Sequence, residues 1–240
     1  MRRGVAHAGL AVLGAILLAD LSGCVTRQVA PPVTRLVPSP LVGRPFDVIA
    51  AESQLIVLVY RAGALAALGH NHVVACRCLA GTIYVPRDPT RASLDLRFAV
   101  GQLTVDDPAL RTAEQSPDFP PDVTPAARQG TRHNMLSAAL LNAARYPDIA
   151  LRSAGLRPAR DGKSADMVAQ VLVRIGDGWH SVAVPLRYRI RDDEIVVTGE
   201  FPLKQTDLGL TPFSALGGGL QVRDDMHIRL RLVARRRRHP

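Results

Sequence analysis

Four stretches of this chain alternate apolar and polar side chains with a period of two, and that pattern dictates the fold. Met226, Ile228, Leu230 and Leu232 are interleaved with His227, Arg229 and Arg231. Val184, Leu186, Tyr188 and Ile190 are interleaved with Arg187, Arg189 and Arg191. Leu94, Leu96, Phe98 and Val100 flank Asp95 and Arg97, and Ile195, Val197, Phe201 and Leu203 flank Thr198 and Glu200. Period two is the repeat of a β-strand with one buried and one wet face. Antiparallel sheets read this way; parallel sheets, buried on both faces, do not.

Counting such runs predicts about eight strands, at 53–61, 72–85, 91–103, 148–156, 166–176, 179–191, 193–203 and 222–235. Asp192-Asp193 marks a tight hairpin, and Arg160-Asp-Gly-Lys163 and Gly176-Asp-Gly178 mark further turns. Short turns between successive strands imply an up-and-down meander, and closing it into a barrel removes exposed edges. The expected fold is mainly β, an eight-stranded antiparallel up-and-down barrel with one amphipathic helix. Such a barrel either holds one elongated ligand or fills itself with side chains. The inward residues expected to line it are Leu94, Leu96, Phe98, Val184, Leu186, Tyr188, Val197, Phe201, Ile228 and Leu230.

The strand pattern breaks once. Residues 106–132 are polar and carry Pro108, Pro117, Pro120, Pro121 and Pro125. After them, Met135, Leu136, Ala139, Leu140 and Ala143 fall at helical spacing, among strong helix formers, and Pro147 blocks continuation. The helix expected over 134–144 would lie across a barrel end.

The N-terminus carries a separate message. Arg2 and Arg3 precede an apolar segment, Gly4 to Ala19, too short for a comfortable membrane span. Leu21-Ser-Gly-Cys24 resembles the lipobox of bacterial lipoprotein signal peptides, in which the cysteine is acylated before cleavage. Val25 follows rather than Asp, which by the same resemblance favours the outer membrane, facing the periplasm. Residues 1–23 are then a signal peptide, 24–48 a proline-rich tether, 49–235 the barrel domain and 236–240 a basic tail. With Cys24 acylated, Cys76 and Cys78 are the remaining cysteines, in an oxidising compartment.

The chain has 240 residues, 47% of them hydrophobic, enough for one sizeable core. Its net charge of +9 suits an anionic partner surface, but at 4% aromatics it lacks the rings of a single-strand nucleic-acid platform. Nucleic acid is not an expected partner. The outward arginines Arg187, Arg189, Arg191, Arg229 and Arg231 read as a solvated face, or as a face toward anionic lipid headgroups.

Chemistry concentrates in Gly69-His-Asn-His-Val-Val-Ala-Cys-Arg-Cys78. His70, His72, Cys76 and Cys78 share parity, so one continuous strand would place them on one face. It would also set His70 and Cys78 about 26 Å apart, too far for one ion without a bend. His70 with His72 could bind a metal with a third ligand from elsewhere, and imidazole and thiolate suit Zn or Cu. Otherwise one histidine caps the strand entrance and the other packs at the rim. A disulfide between positions i and i+2 of a strand is strained. Buried, inert thiols are therefore the expected state, with a labile disulfide or metal binding as alternatives. Gly217-Gly-Gly219 lacks the Lys-Ser/Thr of a phosphate loop, and no Gly-x-Ser-x-Gly elbow occurs. The doublets Asp106-Asp107, Asp192-Asp193 and Asp224-Asp225 sit where turns are expected.

Gly69-His-Asn-His72, Val105-Asp-Asp107 after a strand, and Asn134-Met-Leu136 ahead of Tyr146-Pro-Asp-Ile149 together resemble the YceI-like lipid/polyisoprenoid-binding family. Phe201-Pro-Leu-Lys-Gln-Thr-Asp-Leu-Gly209 and Val222-Arg-Asp-Asp-Met-His-Ile-Arg-Leu-Arg-Leu232 resemble that family's last two strands. The resemblance covers roughly residues 50–235 and implies a lipocalin-like barrel. It also implies non-catalytic binding of a long isoprenoid or other amphiphilic chain, with no cofactor. Two other classes stand beside it: a metal- or redox-dependent protein using His70, His72, Cys76 and Cys78, and a filled barrel serving as a scaffold for envelope partners.

Overall fold

The computed structural model describes residues 36–160 and 165–237. The expected signal peptide, residues 24–35 of the expected tether with Cys24 among them, residues 161–164 and the last three residues lie outside the described residues.

The first three barrel strands are each broken in two. β1 (Arg44–Val48) and β2 (Gln54–Ala62) are separated by a short 3-10 turn, Ala50–Glu52. β3 (His72–Cys76) and β4 (Ala80–Val85) follow, then β5 (Ser93–Ala99) and β6 (Thr104–Val105), with another 3-10 turn, Val100–Gln102, between the last two. In each pair the second piece resumes the same neighbours: β1 pairs β4 where β2 pairs β3, and β4 pairs β5 where β3 pairs β6. The expected strands 72–85 and 91–103 are thus real as positions in the barrel but not as unbroken strands.

The remaining strands are β7 (Asp148–Pro158), β8 (Met167–Ile175), β9 (Gly178–Arg191), β10 (Glu194–Lys204), the short β11 (Ser214–Ala215) and β12 (Leu220–Arg236). β12 closes the ring. It pairs with β10 along its length, with β2 from Gln221↔Ala62 to Arg231↔Gln54, and with β1 from Val48↔Ala234 to Phe46↔Arg236. The result is a closed eight-stranded antiparallel barrel in up-and-down order. Closure leaves the ring without an edge. Gly81 permits the approach of β4 to β5: its φ is +135°, and a Cβ there would lie 2.2 Å from the Asp95 carbonyl oxygen.

Sheet pairing begins earlier than the sequence implied. β1 lies within the stretch read as tether, because Phe46, wholly buried, packs with Ile83, Val85, Ile195 and Ala234 to close one end of the barrel. Upstream of it, the Ser39 N–H donates to the Ser153 carbonyl and the Ser93 hydroxyl to the Pro40 carbonyl, holding residues 39–40 on the sheet. At the other terminus Arg235 and Arg236 belong to β12, and Arg237 pairs with Asp47, so the basic tail starts as sheet.

The helix is displaced. Among the described residues the α-helices are α1 (Pro108–Ala113) and α2 (Pro125–Leu136), whereas 137–144 is a series of turns. Both helices start in the same way. Asp107 accepts the N–H groups of Ala109 and Leu110, Thr124 accepts that of Ala127, and a proline occupies the first turn, where its missing donor is harmless. At the C-terminal end Ser137 leaves helical geometry with ψ of 166°, and its hydroxyl donates to the Asn134 carbonyl. Leu140 and Leu141 then turn inward to the barrel core. Burial of these leucines outweighed the helix propensity of the Ala/Leu run. Outside the barrel, Leu58 and Val73 on the outer face of the β2–β3 hairpin pack with Phe119, so the polar 106–123 stretch is a cover rather than a free loop.

Candidate ligand cavity and the charged cluster at its polar end

The barrel interior is not filled. A cavity of about 660 Å³ runs through it, lined by strand residues and by Ala127, Gly130, Thr131, Asn134 and Met135 of α2. Packed interiors contain few voids larger than a water molecule, so this space is a feature of the fold and not a packing fault. Its volume falls in the roughly 300–1,000 Å³ range of small-molecule sites.

Leu94, Leu96, Phe98, Val184, Leu186, Val197, Phe201, Ile228 and Leu230 all line the cavity. Tyr188 does not. It stands opposite Val197 in the β9–β10 ladder, but Arg187, Tyr188 and Arg189 are all exposed there, and the alternation of burial lapses. A phenol tolerates this position because its polar tip stays in water.

Polar groups in the wall gather toward one end. Arg61, His70 and His72 come from the β2–β3 hairpin, and Gln221 and Val222 pair with Ala62 and Arg61 across from it. Gln205 and Asn134 add amides. The opposite end of β12 leads to the Phe46 cluster. The cavity therefore has a closed apolar end and a polar end crossed by α2. Leu65 and Leu68, from the same hairpin, are exposed there, Leu68 lining the cavity as well.

Behind the histidines lies the residue that the sequence reading missed. Asp106 is wholly buried at the end of β6, with φ of +53°. His72 Nδ1 lies 2.8 Å and His70 Nε2 3.3 Å from its Oδ2. The other oxygen, Oδ1, accepts the Val73 N–H at 2.9 Å and Arg111 Nη1 at 2.6 Å. Arg111, also buried, donates in addition to the carbonyls of Asn71 and Pro120 and lies over the Phe119 ring. Burial pushes the Asp106 carboxyl upward, but the hydrogen bonds from His70 and His72 and from the Val73 N–H outweigh it. They hold the group well below the usual carboxylate range.

Asn71 fixes the turn from which the histidines project. Its Oδ1 accepts the Arg61 N–H and its Nδ2 donates to the Asp118 carbonyl. A short polar residue between two histidines, followed by β-branched Val73 and Val74, was a visible sign of a strand entrance. Asp106 was hidden in an Asp-Asp-Pro sequence that reads as a turn, and only Asp107 plays that part, as the cap of α1.

The cysteines do not join this cluster. Cys76 and Cys78 form a disulfide with Cα atoms 5.2 Å apart. The expectation of two buried thiols rested on a straight strand through both positions. The chain instead leaves the strand after Cys76, and the Cys78 N–H turns back to donate to the Cys76 sulfur. Four residues of extended strand, about 13 Å, separate Cys76 from His72.

The chain thus forms a closed antiparallel barrel whose interior is apolar and whose polar groups gather at one end. No family model and no curated protein matches the chain. Solved structures do match. BcnA of Burkholderia cenocepacia aligns at 14% identity and a TM-score of 0.55, over 78% of this chain and 99% of that one. A polyisoprenoid-binding domain from Saccharophagus degradans aligns at 10% identity and a TM-score of 0.48, over 80% and 98%. A YceI protein of Campylobacter jejuni aligns at 11% identity and a TM-score of 0.46, over 67% and 82%. The match to BcnA establishes the shared barrel fold.

Proposed function

We propose that this protein binds a long hydrophobic chain, such as an isoprenoid, a quinone tail or another lipid, inside the barrel, without turning it over. The observation that carries the reading is the cavity itself: about 660 Å³ walled almost entirely by aliphatic and Phe side chains. Burial of apolar ligand surface supplies the driving force, about 25 cal/mol per Å² before the costs of association. The polar end offers amides, Arg61 and two imidazoles to a ligand's head, while the tail lies toward the Phe46 end. The sequence resemblance to the YceI-like family points the same way, and a cavity of this size argues against the filled-barrel scaffold.

The lipobox resemblance at Leu21–Cys24 supports an acylated Cys24 and a position at the outer membrane, facing the periplasm, next to the lipid phase that would supply the ligand. Metabolic labelling with a fatty acid tests this, and labelling that survives Cys24→Ser removes it.

Solvent extraction of the purified protein, followed by mass spectrometry, tests the binding role. The expected result is a noncovalently held lipid with a long apolar chain, and uptake of a fluorescent isoprenoid by delipidated protein. A preparation with neither property ends the proposal.

A further inference from the structure

The geometry points to a one-ion site for a divalent first-row transition metal, zinc or ferrous iron, held by His70 Nε2, His72 Nδ1 and Asp106 Oδ2 at the polar end of the cavity. These three atoms lie within 4.8 Å of one another. Around a zinc ion bound at about 2.0–2.2 Å, the donors of a tetrahedral site stand roughly 3.3 Å apart. The two contacts of Asp106 Oδ2, 2.8 Å to His72 and 3.3 Å to His70, are close to edges of that polyhedron.

The donor set selects the ion. Two imidazoles and one carboxylate, with no thiolate, suit zinc and ferrous iron, and are poor for Ca or Mg, which take oxygen donors. The sulfurs that could have made the site soft are bonded to each other, at and just beyond the far end of β3. Three protein ligands leave coordination positions open, as catalytic and ligand-exchanging sites do and closed structural sites do not.

The carboxylate is supported as carboxylate ligands in metal centres are. The Val73 N–H and Arg111 occupy Asp106 Oδ1 and fix the carboxylate plane, leaving Oδ2 to the ion. Asn71 pins the turn between the two histidines. The left-handed backbone at Asp106, costly for a residue with a Cβ, aims the carboxylate inward and is of the kind that gathers at functional sites. His70 and His72 also line the cavity, so the open positions of the ion face the space where a ligand's head would sit.

Cobalt(II) titration of the detergent-solubilised full chain, purified without a histidine tag and with no added lipid, tests the site. The expected result is one ion per chain with visible d–d bands, displaced by zinc. His70→Ala, a change at a half-buried side chain that touches Asp106 and the His72 ring, should weaken binding at least about tenfold, the lower end of what even a residue hydrogen-bonded to a ligand is worth. His72→Ala should do the same. His227→Ala, which removes a half-buried histidine paired with Glu200 away from the cluster, should leave binding unchanged. No stoichiometric ion in the wild type, equal binding by His70→Ala, or equal weakening by His227→Ala overturns the site. Since the titration uses the ion alone, its failure leaves lipid binding standing, and failure of lipid binding leaves the ion site standing.

Discussion

Arg111 Nη1 meets Asp106 Oδ1 at 2.6 Å with neither side chain exposed. The pair ties the cover segment 106–123 to the β2–β3 hairpin, because Arg111 also holds the Asn71 and Pro120 carbonyls. Removing one member of a buried ion pair leaves an uncompensated charge and costs about 3–5 kcal/mol. Arg111→Met should destabilise the protein by that amount in urea denaturation. The double variant Arg111→Met with Asp106→Asn should cost less than the sum of the two single changes, since the stranded charge is gone.

The Cys76–Cys78 disulfide should contribute little to stability. It closes a loop of three residues, for which the chain-entropy relation gives about 1.5 kcal/mol. The double substitution Cys76→Ser, Cys78→Ser should lower the denaturation free energy by about that much. Uptake of a fluorescent isoprenoid should be unchanged, because neither cysteine lines the cavity.

Asp47 and Arg237 give a pH-dependent tie between the last described residue and β1. Arg237 donates to both oxygens of Asp47, and Thr82 to one of them. The hydrogen bond from Arg237 lowers the Asp47 carboxyl below its ordinary range, against a smaller upward push from burial. A lowered carboxylate contributes stability above its unfolded value and loses it as pH falls through its folded value. Both groups are about half exposed, so solvent screens the tie and it is weak. Arg237→Ala should therefore lower stability only slightly near neutral pH. The gap from wild type should close in acid, which denaturation at a series of pH values measures.

The strands were legible because one face of each is apolar and the other charged, as Leu230 between Arg229 and Arg231 shows. Their interruptions were not, because the turns at Ala50–Glu52 and Val100–Gln102 keep their neighbours on the same ladder. β1 was obscured by Pro45 and the prolines upstream of it, although Phe46 between Pro45 and Asp47 was an apolar residue with somewhere to go. The start of α2 was written in Thr124-Pro125, a cap followed by a proline, but the Ala/Leu run after it carried the stronger periodicity and drew the helix to 134–144. The two histidines were visible as a pair. Their carboxylate was not, since His70 and Asp106 are separated by 36 residues and only the β3–β6 pairing brings them together.

Filling the barrel tests the cavity directly. Ala169 sits on β8 facing the cavity and is almost fully buried, yet the space before it is open. In a packed core, a larger side chain here would cost about 1–3 kcal/mol through strain. Where a void already exists, an added ring gains contacts instead. Ala169→Phe should leave the denaturation midpoint unchanged or raised, while lowering isoprenoid uptake at least about tenfold, the factor that corresponds to 1.4 kcal/mol of lost binding. A variant of Trp179, exposed on the neighbouring strand β9, should alter neither quantity. A fall in stability with uptake intact would mean that the interior is packed around Ala169 and that ligand binds elsewhere.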